Sequence, residues 1–160
     1  MTAPVLLIGV GNRYRRDDGA GLELVRRLKD GLGAGVDAVE SDGAAASLME
    51  VWRGRTNVFL FDAVKSGASP GTIHRLDPGA EAIRAGHFRC STHDFGVAEA
   101  VELSRAFGDL PEKFFIYGIE GKVFDEGEGL SSESESAVQE LAAELMHSLA
   151  RFIGNSSVAR

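Results

Sequence analysis

Asp17-Asp18, Asp62 and His93 are the residues of this 160-residue chain whose types and positions best suit chemistry. Each stands where an apolar run ends or a helix is about to begin. Asp17-Asp18 follow the run Val5–Val10, Asp62 closes Val58-Phe59-Leu60-Phe61, and His93 lies in Cys90-Ser91-Thr92-His93-Asp94. Ligands of open α/β sheets gather at the carboxyl ends of the strands, so these groups are candidates for one site. Two carboxylates and an imidazole are a reasonable ligand set for a borderline divalent ion such as nickel or zinc. They serve equally as a general acid–base set. Taken alone, Asp17 and Asp18 also suit the cap of the helix that follows them. Asp62 is harder to explain as structure, because a carboxylate in an apolar strand costs on the order of several kcal/mol unless paired or ligated.

Other polar groups support weaker readings. Gly9-Val10-Gly11 supplies the first two glycines of a dinucleotide fingerprint, but Tyr14 stands at the third. Two carboxylates before the helix would repel a pyrophosphate, and no GxxxxGK[ST] loop exists, so no nucleotide cofactor is expected. Cys90 precedes His93 by three residues, which makes a cysteine–histidine nucleophile conceivable, although a small buried hydrophobe is the simpler reading. His74, His87 and His147 read as surface or half-buried residues. Arg13, Arg15 and Arg16 form a solvated loop face that can also dock an acidic or carbonyl-rich chain. The acidic loop Glu120–Glu128 either contacts a substrate or is simply solvated.

Alternating elements must position these groups. Val5–Val10 is a strand buried on both faces, followed by a helix over about 19–31 with Leu22, Val25 and Leu28 on its apolar stripe. Val36–Glu40 reads as a second strand and Ala44–Trp52 as a short helix. Asn57–Val64 is the central strand. After a turn over 66–71, Thr72–Leu76 alternates like a half-exposed strand that can pair with it as a hairpin, giving one antiparallel member. A helix over about 94–107 and a strand over 114–118 follow. The last helix starts near Ser131–Ser132, with Glu135 placed to complete a capping box from Ser132. Strands alternating with helices predict an α/β fold: one three-layer domain with a mostly parallel, twisted five-stranded sheet and helices on both faces. The domain is expected over 1–154, with 155–160 a frayed tail.

Composition agrees with one globular domain. Hydrophobic residues make up 44% and charged residues 26%, ordinary for a soluble protein, and 160 residues can bury a core unaided. A net charge of −7 argues against broad binding to nucleic acid or anionic membranes. No run approaches a membrane span, and Val5–Ile8 ends at once in glycine without a leader's layout. The single cysteine forms no internal disulfide, so a reducing, cytoplasmic setting is expected.

The run Gly9-Val10-Gly11-Asn12-Arg13-Tyr14-Arg15-Arg16-Asp17-Asp18-Gly19-Ala20-Gly21 resembles the opening signature of the nickel-iron hydrogenase maturation proteases. Phe61-Asp62-Ala63-Val64, Ser91-Thr92-His93-Asp94 and Gly118-Ile119-Glu120-Gly121, then Gly129-Leu130-Ser131, resemble further segments of that family in the same order. The likeness spans nearly the whole domain. It implies an endopeptidase, grouped with the aspartic-type peptidases, that trims the C-terminal extension of the hydrogenase large-subunit precursor after nickel insertion. The family's metal-contacting set of two carboxylates and a histidine falls on Asp18, Asp62 and His93, with many members carrying glutamate in place of Asp18. Asp17 would then orient the loop. The nickel would be carried by the substrate and not permanently bound. Two alternatives stay open on the same fold: a non-catalytic nickel-binding checkpoint protein for hydrogenase assembly, and a small-molecule hydrolase.

Overall fold

The computed structural model describes residues 2–83 and 96–158. Its strands are β1 (Val5–Val10), β2 (Val36–Ser41), β3 (Asn57–Val64), β4 (Ile73–Leu76) and β5 (Lys113–Glu120). The helices among the described residues are α1 (Ala20–Leu32), α2 (Ala45–Trp52), α3 (Gly96–Phe107) and α4 (Ser132–Val158). α4 continues past Gly154, where the sequence suggested a fraying end. The strands form one sheet in the order β2-β1-β3-β5-β4, parallel throughout except for β4.

The continuous apolar runs explain the centre of that order. β1 and β3 bury nearly every residue, so they need partners on both edges and helices on both faces. Alternate residues feed two separate cores. Leu6, Ile8, Leu60 and Val64 meet α2 and α3, whereas Leu7, Phe59 and Phe61 meet α1 and α4. The first core is sealed by Trp52, whose indole N–H donates to the Ser104 hydroxyl at 2.9 Å and whose ring meets Phe114 edge-on.

One expectation is corrected. β4 makes no hairpin with β3; it pairs antiparallel with β5, Ile73 opposite Ile119 and Leu76 opposite Ile116. β3 is already paired along its full length with β5, from Asn57–Lys113 to Val64–Glu120. Two apolar strands gain more by pairing centrally with each other. The short, half-exposed β4 is left the outer edge, where one polar face costs little.

α1 lies unusually close to the sheet. A Cβ on Gly21 would stand 2.3 Å from the Phe61 carbonyl oxygen and 3.0 Å from that of Val10. Both obstacles are backbone in central strands, so relief requires lifting the helix. Gly21→Ala gains up to about 1 kcal/mol of helix propensity, but overpacking of this kind costs about 1–3 kcal/mol or more. A net loss is expected, read as a melting temperature lower by roughly 4–8 °C. A variant melting with the parent would mean that α1 can ride higher without loss.

Candidate functional site

The strand order reverses between β1 and β3: the chain leaves β1 for β2 on one side and then crosses to β3 on the other. The carboxyl edge at such a switch point is where an open sheet leaves a crevice. Asp18 and Asp62 are both placed there.

The loop from β1 to α1 brings Asp18 over the end of β1. Gly11 makes this possible. Its φ of +146° and an Asp18 carbonyl oxygen 1.9 Å from where a Cβ would sit exclude a side chain. Asp18 is fully buried, and its Oδ2 accepts the Asn12 backbone N–H at 3.0 Å, closing the loop on itself. A short 3-10 turn over Arg16–Gly19 carries both aspartates and packs against β3. Arg16 holds φ at +50°, a left-handed conformation that costs a non-glycine residue about 1 kcal/mol. Its backbone N–H to the Gly127 carbonyl at 3.0 Å and its Nε to the Gly129 carbonyl at 2.8 Å keep it there.

Asp62 comes up β3 near the carboxyl end, 2% exposed, opposite Gly118 of β5. It alternates in step with Leu60 and Val64, so its side chain belongs to the face covered by α2 and α3. The third expected member, His93, lies outside the described residues, as do His87 and Cys90. Among the described residues, no three His, Cys, Asp or Glu side chains are grouped to hold a metal ion. The described chain resumes at Gly96, where a Cβ would be 1.8 Å from the Gly43 carbonyl oxygen. Gly43 closely follows the end of β2, so α3 begins at the same carboxyl edge.

Asp17, beside Asp18, has a different job. Its Oδ1 accepts the Ser131 N–H at 2.7 Å, and its Oδ2 accepts the N–H groups of Lys122 and Val123 at 2.8 and 3.0 Å and the Ser131 hydroxyl at 2.7 Å. Burial pushes this carboxyl's pKa up, but the bonds from Lys122, Ser131 and Val123 together outweigh it and hold it below the ordinary aspartate value. With both oxygens engaged, Asp17 fastens the β5–α4 loop beneath the site.

Two further readings are corrected by this network. The cap of α4 is Ser131, whose hydroxyl accepts the Ser134 N–H at 3.3 Å, and no Ser132–Glu135 capping box forms. Asp17 orients Ser131 from below, while the Glu135 carboxylate takes a two-point contact with the Arg27 guanidinium at 2.8 and 2.9 Å. Glu120, grouped with a solvated or substrate-facing loop, is 1% exposed. It accepts the Ser66 N–H and hydroxyl and the Ala68 N–H at 2.8–2.9 Å, with His74 Nε2 at 3.6 Å. It therefore braces the turn that follows Asp62. The available signal was a glutamate ending an apolar strand, which only an internal set of donors makes tolerable. The loop arginines are likewise engaged: Arg13 with Glu40 at 2.7 Å, Arg15 with the Phe124 carbonyl at 3.2 Å, and Arg16 as above. His74 is half-buried and His147 exposed. No helix among the described residues is long and apolar enough to cross a membrane.

Residues 22–148 match the family model described as hydrogenase maturation protease, HycI. The hydrogenase expression/formation protein HupD of Thiocapsa roseopersicina is 26% identical over 124 residues, covering 76% of this chain and 56% of that protein. The chain thus spans little more than half the length of that relative. Among solved structures, the hydrogenase maturating endopeptidase HybD of Escherichia coli has the same fold, with a TM-score of 0.70 at 24% identity over 92% of this chain and 94% of that one. The [NiFe] hydrogenase maturation protease HybD of Thermococcus kodakarensis aligns with a TM-score of 0.67 at 27% identity, covering 94% and 99% of the two chains.

Proposed function

The chain belongs to the hydrogenase maturation protease family, and from that premise we propose that it is the endopeptidase that removes the C-terminal extension of a nickel-iron hydrogenase large-subunit precursor once nickel is in place. The observation that carries this reading is the pair of buried carboxylates, Asp18 and Asp62, at the carboxyl edge where the sheet changes direction. Asp17 is set apart from that pair, because both its oxygens are engaged by internal donors. Asp18 and Asp62, with His93, are the groups assigned to contact the nickel, which arrives as part of the substrate. The entry of α3 at the same edge supports the place of His93 in the set, since Gly96 follows it closely in sequence.

A divalent ion at the scissile carbonyl supplies Lewis-acid polarisation of that carbonyl or of the attacking water. The carboxylates supply the proton handling. Asp62 or Asp18 accepts a proton from the water as its oxygen adds to the carbonyl carbon, and a proton is returned to the departing amine nitrogen as the C–N bond breaks. The low-dielectric strand end around Asp62 strengthens each of these interactions relative to water. On this reading the protein is grouped with the aspartic-type peptidases and acts in the cytoplasm.

Incubation of the purified chain with a nickel-loaded large-subunit precursor tests the reading. A shortened large subunit is expected by mass spectrometry, and none from the nickel-free precursor. His93→Gln is expected to stay folded while processing falls at least about 100-fold, because a weak amide ligand replaces a good nitrogen one. Binding of nickel-loaded precursor without any cut would favour the checkpoint role instead.

A further inference from the structure

Tyr14 is one of three large hydrophobic residues exposed among the described residues, at 63%. Unlike an ordinary exposed ring, it stands on a fixed frame. Its N–H donates to the Asn12 side-chain oxygen at 2.9 Å, and its carbonyl accepts the Gly127 N–H at 2.8 Å. Arg15 bridges to Gly127 in parallel fashion, and the Arg15 N–H returns to the Asn12 carbonyl at 3.2 Å. Asn12 is in turn held by Asp18. The ring is thus carried by the same rigid loop that places a site carboxylate.

Tyr14 also separates two clefts. One, of about 430 Å³, runs past Gly11, Ser41 and Asp42 at the carboxyl ends of β1 and β2. The other, of about 400 Å³, runs past Arg15, Glu126 and Gly127. Asn12 and Tyr14 are walls of both. The arginines along these clefts already have partners: Arg13 pairs with Glu40 at the surface, and Arg15 and Arg16 donate to the carbonyls of Phe124 and Gly129. Asp42 and Glu126 are exposed and carry no ion pair among the described residues. What the surface offers a visitor beyond these pairs is one pre-set aromatic ring with an exposed carboxylate in the cleft on either side, carried by the loop that holds Asp18.

On the proposed peptidase reading, we infer that Tyr14 is the anchor on which the precursor polypeptide docks, as an extended segment that lays an apolar or planar side chain on the ring and basic residues toward Asp42 and Glu126. A rigid aromatic whose backbone is already pinned loses little entropy on binding, which is the profile of an interface hot spot. The acidic rim selects a basic segment and speeds its encounter. It also disfavours a second copy of this chain, whose net charge is −7.

The test uses the nickel-loaded large-subunit precursor, immobilised for binding and free for processing kinetics. Tyr14→Ala is expected to weaken binding and raise KM by about 30-fold with kcat within about threefold, and Tyr14→Phe to retain most of the parent's affinity. Asp42→Asn with Glu126→Gln, which keeps the loop's shape, is expected to weaken binding roughly fivefold and flatten its salt dependence. Phe107→Ala, an exposed ring at the end of α3, serves as the unaffected control. Parent-like binding by Tyr14→Ala while the parent still processes precursor would overturn the docking surface and leave the peptidase reading standing. A parent that neither binds nor cuts the precursor would overturn both. Self-association of the parent that Tyr14→Ala abolishes would assign the ring to a dimer contact instead.

Discussion

Asp62→Asn is expected to abolish precursor processing by at least about 100-fold while leaving the melting temperature unchanged or slightly raised. The carboxylate is 2% exposed near the carboxyl end of the central strand β3, alternating with core residues Leu60 and Val64. A desolvated carboxylate costs on the order of several kcal/mol, which its own internal contacts offset only in part. The amide has the same shape and no charge, so it lowers that cost and forfeits the anionic ligation and proton acceptance proposed for Asp62. Thermal unfolding and processing of nickel-loaded precursor, measured on one preparation, give the two readings together. A variant that melts more than about 5 °C below the parent and still trims the precursor would make Asp62 a structural residue.

Asp17→Asn carries the opposite signature although it changes the same residue type. The Asp17 carboxylate accepts four hydrogen bonds, three from backbone N–H groups and one from the Ser131 hydroxyl. An asparagine retains one oxygen, and its NH₂ then faces at least one buried N–H that has lost its acceptor. Bonds to a charged group contribute about 1.5–3 kcal/mol each, and an orphaned buried donor costs about 1–3 kcal/mol more. A net loss of about 3 kcal/mol is a large share of a typical 5–15 kcal/mol, and corresponds to roughly 6–12 °C in melting temperature. The pH dependence has a definite sign. A carboxyl whose pKa is lower in the folded state contributes its full stabilisation above its unfolded value, near 3.8, and loses it as pH falls toward the folded value. The parent should therefore lose stability on acidification below about pH 4 in a limb that the variant lacks in part. Activity in Asp17→Asn should fall mainly as the β5–α4 loop loosens, and recover on cooling. Identical acid limbs in both proteins would show that Asp17 is not the anchor of that loop.

The two aspartates side by side show where reading from the chain stopped. Asp17-Asp18 before a helix announces a chemical or capping role for the pair, but not the division of labour. That division depends on Lys122, Val123 and Ser131, more than 100 residues away, meeting Asp17 and leaving Asp18 facing the loop of Asn12. Asp62 was legible because a carboxylate interrupts an otherwise apolar strand, a conflict visible within a few residues. Glu120 presents the same conflict at the end of β5, yet its proximity to a glutamate-rich loop hid it. Only the pairing of β3 with β5 sets it beside Ser66 and Ala68.

The sequence by itself determined the elements and their class. Apolar runs of strand length, helical spacing in α1 and α4, and glycines that end them are local signals, and local conformational preference acts over a few residues. It also marked Asn57–Val64 as the central strand and Val5–Val10 as a strand covered on both faces, since such continuous apolar runs need helices on either side. Tertiary structure decided what depends on which distant surface packs against each element. It gave β4 to β5, replaced a Ser132 capping box by Ser131 held from Asp17, and engaged the arginines of the first loop with Glu40 and with loop carbonyls while leaving the Tyr14 ring exposed. Buried donors and charges must find partners wherever packing puts them, so the identity of each partner is a property of the assembled fold.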